Sequence, residues 1–198
     1  MQGFSPAADN NKSAILSILS HYLSVGDHVF EIGSGSGQHA IHMSASLPEI
    51  QWQPSDRAIN LPTLSSNILE YGPPNLRPPI ELDLDKPSRA IPSAVQCVYA
   101  ANVMHIVREA LGAELISWAA ERLDERGYLI LYGPYRYAGE FTTESNKNFD
   151  EWLKKRDSES GIRDFEWVIK LAAERALTLV KDHAMPANNQ CLVFQKTA

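Results

Sequence analysis

A chain of 198 residues with 44% hydrophobic and 21% charged side chains has the length and balance of one globular domain with a full core. Its net charge is −6 and its longest basic run is Lys154-Lys155-Arg156, so it lacks the basic stripe that duplex nucleic acid needs. No apolar run reaches bilayer-spanning length, and the polar, proline-containing residues 1–12 do not read as a secretory leader. The expectation is a cytoplasmic protein with neither a nucleic-acid nor a membrane partner.

The first predicted element is an amphipathic helix over 11–24, with Ile15, Ile18, Leu19 and Leu23 on one stripe. A strand follows over 28–33, then a glycine-rich turn and a helix to about residue 47. Residues 50–53 read as a second strand closed by Pro54-Ser55-Asp56. Proline is awkward inside a sheet, so Pro54 is placed at the strand's end. A helix over 60–71 gives way to a turn-rich connection over 71–79 with four prolines. Residues 80–82 form a short third strand ending at Asp83, and 94–101 a fourth, almost wholly apolar one. A helix over 108–125 leads through Gly127 to a strand over 128–133. The polar stretch 134–163 carries a short helix at about 149–155. A helix over 164–176 and strands over 177–183 and 190–196 complete the chain.

Strands alternating with helices indicate a single α/β domain with a mostly parallel sheet. Residues 1–24 form an N-terminal helical cap on it, and 134–163 an insertion too long for an ordinary strand-to-helix link, which runs about 2–6 residues. Cys97 and Cys191 sit in apolar strands and read as buried thiols. The tryptophans Trp52, Trp118, Trp152 and Trp167 read first as core. Lys154-Lys155-Arg156 reads as a solvated helix face.

The segment Glu31-Ile32-Gly33-Ser34-Gly35-Ser36-Gly37 is the most informative in the chain. An acidic residue ends a strand and three alternating glycines follow, which lets the backbone turn tightly and a ligand touch it. A dinucleotide fingerprint places its third glycine three positions after the second. Here that position is Gln38, and the glycine comes one residue early. The spacing is the form used for S-adenosylmethionine, and it argues against a nicotinamide-dependent oxidoreductase. Gly33, Ser34, Gly35 and Gly37 then touch the cofactor, and Glu31 holds its ammonium group or faces the turn's own N–H groups.

Ligands in open α/β sheets bind beyond the carboxyl ends of the strands. Asp56, ending the second strand, suits two ribose hydroxyls, and Asp83, ending the third, suits an adenine amino group, with Leu84 flanking the ring. Each is equally readable as a cap or turn residue. Asn102 and His105 follow the fourth strand, where a methyltransferase places residues facing the transferable methyl. Asn102 can present its carbonyl to the sulfonium. His105 can take a proton from the acceptor or can be a satisfied structural histidine. Asn102 is followed by Val-Met-His rather than by prolines and an aromatic, which leaves methylation of adenine or glutamine amino groups unsupported. His39 and His42 are spaced i, i+3 without a completing carboxylate or cysteine, so no metal site is expected.

Several segments together resemble one family. They are Phe4-Ser5-Pro6-Ala7-Ala8, the glycine turn ending in His39, Trp52-Gln53-Pro54-Ser55-Asp56, Ala101-Asn102 with His105-Ile106, Gly133-Pro134-Tyr135, Ser145-Asn146 with Phe149-Asp150, Arg156-Asp157, Gly161-Ile162-Arg163-Asp164 and Met185-Pro186-Ala187-Asn188-Asn189. The chain resembles the methyltransferase-like family grouped as "domain of unknown function 938". The resemblance implies a class I, Rossmann-like methyltransferase fold: seven strands, mostly parallel, in the order 3-2-1-4-5-7-6, with helices on both faces. It also implies S-adenosylmethionine as cofactor. It names no acceptor. Members often carry alanine at the first glycine of the turn, where this chain has Gly33, and a tryptophan after the His-Ile pair, where it has Val107-Arg108-Glu109.

Tyr135 joins His105 as a catalytic candidate. Asn11, Arg136, Asn146, Arg163, Asn188 and Asn189 are polar and fall in loops or at element ends, where function concentrates. They either converge over the methyl as a donor-rich acceptor pocket or fasten the N-terminal segment and the 134–163 insertion to the sheet. The expected activity is methyl transfer to a small polar acceptor, with 134–163 as a lid. The alternatives are a cofactor-binding protein without efficient transfer and a protein methyltransferase, which needs an open acidic groove.

Overall fold

The computed structural model describes residues 1–87 and 94–197. Helix α1, Pro6–Tyr22, starts earlier than the apolar stripe predicts. Ser5 caps it, accepting the Ala8 N–H on its hydroxyl at 3.3 Å. Pro6 fills the first helical position, where a missing N–H costs nothing. The central elements follow as β1 His28–Ile32, α2 Gln38–Ser46, β2 Gln51–Asp56, α3 Leu61–Tyr71, β3 Ile80–Glu81, β4 Val95–Ala101, α4 Glu109–Arg122 and β5 Leu123–Gly133. After the inserted segment come α6 Phe165–Ala173, β9 Leu177–Met185 and β10 Asn189–Lys196.

The main sheet runs β3-β2-β1-β4-β5-β10-β9, with β3, β2, β1, β4 and β5 parallel and β10 antiparallel to both its neighbours. Counting its seven strands in chain order gives 3-2-1-4-5-7-6, the class I methyltransferase order. Both faces are covered, and alternate residues separate into two cores. Phe30, Ile32, Val98, Ala100, Leu129 and Leu131 face Leu115, Ile116 and Ala119 of α4 and Val168 and Ala172 of α6. Val29, Cys97, Tyr99, Ile130 and Tyr132 face Ile15 and Leu19 of α1, Met43 of α2 and Leu64 of α3. Cys97 and Cys191 are free, buried thiols. Trp52 and Trp118 are core residues, whereas Trp152 is half exposed and stacks on Phe149 at 5.8 Å.

Pro54 lies within β2 rather than at its end, opposite Glu31 of β1. The Trp52 N–H, two residues earlier on the same edge, donates to Asn75 O, so Pro54 lacks its N–H toward the β3 side. Pairing with β3 itself begins only at Ser55, opposite Ile80. The proline therefore falls where the ladder is interrupted.

The segment after β5 holds more structure than the sequence announces. Strands β6 Tyr135–Tyr137, β7 Glu140–Phe141 and β8 Arg163–Asp164 form a separate small sheet, and α5 spans Glu144–Arg156. The helix is longer than predicted because Thr143 caps it, accepting the Asn146 N–H at 3.2 Å. Lys154, Lys155 and Arg156 occupy its last turn, where cations suit the helix dipole, and all three are exposed.

Candidate functional site

The turn after β1 is folded onto the end of β2. The Gly33 and Ser34 N–H groups both donate to the Ser55 carbonyl, at 3.0 and 2.9 Å. The Gly35 N–H donates to Asp56 Oδ2 at 2.7 Å. Three successive amides are thus committed to β2. A pyrophosphate needs such amides free, so the turn is not a phosphate cradle. Gly33 has φ +74°, and a Cβ there would lie 2.7 Å from Val103 Cγ2. Gly37 has φ +85° and caps α2, and a Cβ there would lie 2.9 Å from Leu64 Cδ1. The N-terminal segment is strapped across this turn. Asn67 accepts the Gln2 N–H at 2.9 Å and donates to the carbonyls of Gln2 and Ser36 at 2.8 Å.

Beyond the carboxyl ends of β1, β2 and β4 opens a cavity of about 420 Å³. Its walls are Ile32, Gly33, Asp56, Arg57 and Asn60 from the turn and the end of β2, and Leu82 and Leu84 after β3. The loop from β4 to α4 adds Asn102, Val103, Ile106, Val107 and Arg108, α4 adds Leu111, and the insertion adds Asp157 and Glu159. Asn102 is held with φ +58° while its N–H donates to Tyr132 O at 2.8 Å. Asp83 is not in the lining. Its Oδ1 accepts the Asp85 N–H at 3.0 Å, the turn role that a strand-ending aspartate can equally play.

Beneath the turn lie two buried polar groups. Glu31 accepts from Trp52 Nε1 at 2.8 Å, and burial pushes its carboxyl up to about 7 against the hydrogen bonds from Trp52 and Ser34. His39 Nε2 meets Asn11 Oδ1 at 2.7 Å, and its Nδ1 meets the Tyr99 hydroxyl at 3.3 Å. Burial pushes this imidazole down to about 4. Glu31 and Asn11 therefore stand behind the turn rather than in the cavity lining.

The two expected catalytic residues are also outside the lining. His105 is 4% exposed, edge-on to Phe149 at 5.4 Å, and its Nδ1 is buried without a partner among the described residues. Burial, and behind it the charge of Arg163, pushes it down to about 4. A base of that strength holds a proton poorly at neutral pH. Tyr135 is 1% exposed, its hydroxyl likewise lacks a partner among the described residues, and burial drives its pKa far up.

Four of the six polar pocket candidates, Arg136, Asn146, Arg163 and Asn189, fasten loops or the small sheet. Arg163 donates to the carbonyls of Met104 and Val107. The Gly161 N–H takes the His105 carbonyl at 2.9 Å, and Ser160 Oγ takes that of Ile106 at 2.6 Å. Four consecutive carbonyls of the β4–α4 loop are thus satisfied by residues 160–163. Asp150 anchors that stretch in turn, accepting the Ile162 N–H at 2.7 Å. Asn146 donates to Asn188 O at 3.0 Å, tying α5 to the β9–β10 turn. Asn189 closes that turn, donating to Pro186 O and Ala187 O at 3.2 Å. Arg136 pairs with Asp164 at 2.6 Å across the small sheet. None of the six side chains is in the cavity lining; Asn146, Arg163 and Asn189 hold loop backbone, Arg136 the small sheet and Asn11 the His39 ring, while Asn188 contributes its backbone carbonyl. Sequence reading missed Arg57, Asn60, Val103, Val107, Arg108 and Leu111. The one available signal was position: Asn60 lies four residues after Asp56, and the loop residues flank Asn102.

The sequence model of the family described as "Protein of unknown function (DUF938)" matches residues 2–196, and the chain belongs to that family. Among solved structures, an O-methyltransferase family 2 protein from Planctomyces limnophilus, in complex with apigenin, superposes with a TM-score of 0.82. Identity to it is 16%, over 96% of this chain and 58% of that one. An O-methyltransferase family protein from Burkholderia thailandensis gives 0.80 at 14% identity, over 94% and 56%. CalO1, a methyltransferase in calicheamicin biosynthesis solved with bound SAH (S-adenosylhomocysteine), gives 0.74 at 15% identity, over 97% and 54%. The chain spans little more than half the length of these proteins, and what it shares with them at such identities is the fold.

Proposed function

We propose that this member of the DUF938 family transfers a methyl group from S-adenosylmethionine to a small polar acceptor. The observation that carries this reading is the cavity beside the glycine turn, with Asp56 on one wall and Leu82, Leu84, Val103, Val107 and Leu111 on the others. Its residues fit an adenosine: apolar walls for a flat ring, and a carboxylate for a sugar diol. Its volume of about 420 Å³ is ordinary for a site of that kind. The fold neighbours, one of them holding SAH, support the same cofactor.

When bound, the cofactor supplies an activated methyl on a sulfonium. The chain's own residues orient and enclose. Asp56 and the turn hold the sugar side, and Asn102, fixed in a left-handed conformation, faces the cavity from the end of β4. Among the described residues, none of those lining the cavity is a histidine, cysteine or tyrosine. Transfer then rests mainly on bringing nucleophile and methyl into line. Asp157 and Glu159 are the lining carboxylates left over for a hydroxylated or basic acceptor. Residues 134–163 act on the acceptor side as a cover, held through the β4–α4 loop. We place the reaction in the cytoplasm; among the described residues no helix is long and apolar enough to cross a membrane.

Calorimetry tests the cofactor: S-adenosylmethionine and SAH bind, and NAD and NADP do not. Tight nicotinamide binding without response to either sulfur ligand overturns the reading. A transfer assay with isotopically labelled methyl, run across small alcohols, phenols, carboxylates and amines, then finds the acceptor. Saturable cofactor binding with no transfer to any of them would point to a binding protein.

A further inference from the structure

Asp56 is more heavily occupied than a free ribose acceptor should be. Its Oδ2 accepts the Gly35 N–H at 2.7 Å. Its Oδ1 accepts both the Arg57 N–H and Asn60 Nδ2, each at 2.7 Å. An ionised carboxylate offers about four lone-pair sites, so one remains, on Oδ2. A vicinal diol brings two hydroxyl hydrogens. Asp56 can take one and has no site for the other unless it releases the turn. Asn60 lies beside it in the cavity lining, half buried. Its amide nitrogen is turned to Asp56, and no described residue donates to its Oδ1. With its nitrogen committed to Asp56, the amide's oxygen is an acceptor of the kind a second hydroxyl needs.

We infer that the ribose diol is divided: one hydroxyl donates to Asp56 Oδ2 and the other to Asn60 Oδ1. Asn60 is then a cofactor-binding residue in its own right as well as the group that orients Asp56. The inference rests on the cofactor reading above.

Its test is calorimetry on the full chain with SAH and its 2′-deoxy and 3′-deoxy analogues. In the parent protein both analogues bind more weakly than SAH. In Asn60→Ala, affinity for SAH falls about tenfold, as expected for one hydrogen bond and its oriented partner. The penalty of one of the two deoxy analogues then shrinks, because its hydroxyl has lost the Asn60 acceptor and is left with only the Asp56 Oδ1 site that the variant frees, while the other keeps its penalty. Asn60→Ser, too short to reach the diol, gives the same pattern and guards against a folding defect in the alanine variant. If Asn60 only orients Asp56, neither penalty shrinks relative to the other in either variant, and the inference is overturned while the cofactor reading stands. A parent protein that binds no SAH at all overturns both.

Discussion

Replacing Gly33 with alanine should damage stability and ligand binding together, and by an amount the geometry sets. The residue sits at φ +74°, where an L side chain costs about 1–2 kcal/mol. The new methyl would also stand 2.7 Å from Val103 Cγ2. That contact cannot be relieved by swinging a flexible side-chain end away, because valine is branched at Cβ and stiff at χ1. Overpacking of this kind costs about 1–3 kcal/mol. Together these come to roughly 2–5 kcal/mol, a large part of the 5–15 kcal/mol typical of a domain. Urea unfolding should show the midpoint lowered by about 1–2 M. Val103 also lines the cavity, so SAH affinity should fall in the same variant. Adding Val103→Ala removes the contact but not the backbone strain, and should restore about half of the lost stability. Two results would refute the reasoning: a Gly33→Ala protein as stable as its parent, or a double variant no better than the single one. The alanine that resembling sequences often carry here calls for a smaller or shifted neighbour at 103.

Asp56→Ala should lower SAH affinity at least tenfold to a hundredfold, since charged hydrogen bonds are worth about 1.5–3 kcal/mol. It should also lower stability, because Gly35, Arg57 and Asn60 lose a shared acceptor; unchanged urea midpoints would show that the turn does not depend on it. Stability should respond to pH through buried groups of opposite sign. His39 and His105, both near 4 in the folded chain against 6.5 unfolded, contribute stability present above pH 6.5 and lost as pH falls toward 4, on the order of 3 kcal/mol each. Glu31, about 7 against 4.5, contributes stability present below pH 4.5 and lost as pH rises through 7, so Glu31→Gln should remove a decline measured in urea midpoints from pH 5 to 8. Arg163→Met should free the Met104 and Val107 carbonyls and speed amide exchange across residues 102–108; unchanged protection there would mean that Gly161 and Ser160 suffice.

The fold was legible because its signals are local. Strand-length apolar runs, helical stripes and a glycine turn with readable spacing recur in chain order, and the parallel sheet follows from their alternation. Where the reading stopped short, the cause was a cap or a tertiary partner. Ser5-Pro6 and Thr143 extend α1 and α5 beyond their apolar stripes. Pro54 is tolerated because the neighbouring strand begins one residue later, a fact held in the pairing and not in the strand itself. Of the cavity-lining residues, Gly33, Asp56, Leu84 and Asn102 were readable because each lies at or within three residues of a strand's carboxyl end. Asp83 obeys the same rule and yet turns to its own loop, since strand ends specify position and not side-chain direction. The small sheet of β6, β7 and β8 was invisible because strands of two or three residues carry no period to detect.

Arg136, Asn146, Arg163 and Asn189, polar residues near or within the segments that resemble the family, lie outside the cavity lining, and that placement fits the chemistry proposed. A displacement at carbon held by positioning asks little of acid–base groups and much of rigid backbone. The β4–α4 loop lines the cavity with four side chains between Val103 and Arg108 but has no regular structure of its own to satisfy its carbonyls. Left to water, those carbonyls would allow the loop many conformations. The inserted segment removes that freedom by taking all four, from Met104 to Val107, and is itself fixed through Asp150. On this account Arg163, Ser160 and Asp150 matter for methyl transfer without touching a reactant, and their loss should reduce kcat by letting the loop wander. His105 and Tyr135 are the residues on which the two pictures part. If either supplied a reactive group, His105→Phe or Tyr135→Phe would abolish transfer with the loop still protected from exchange. If the walls act by position, transfer and loop protection should fall together or not at all.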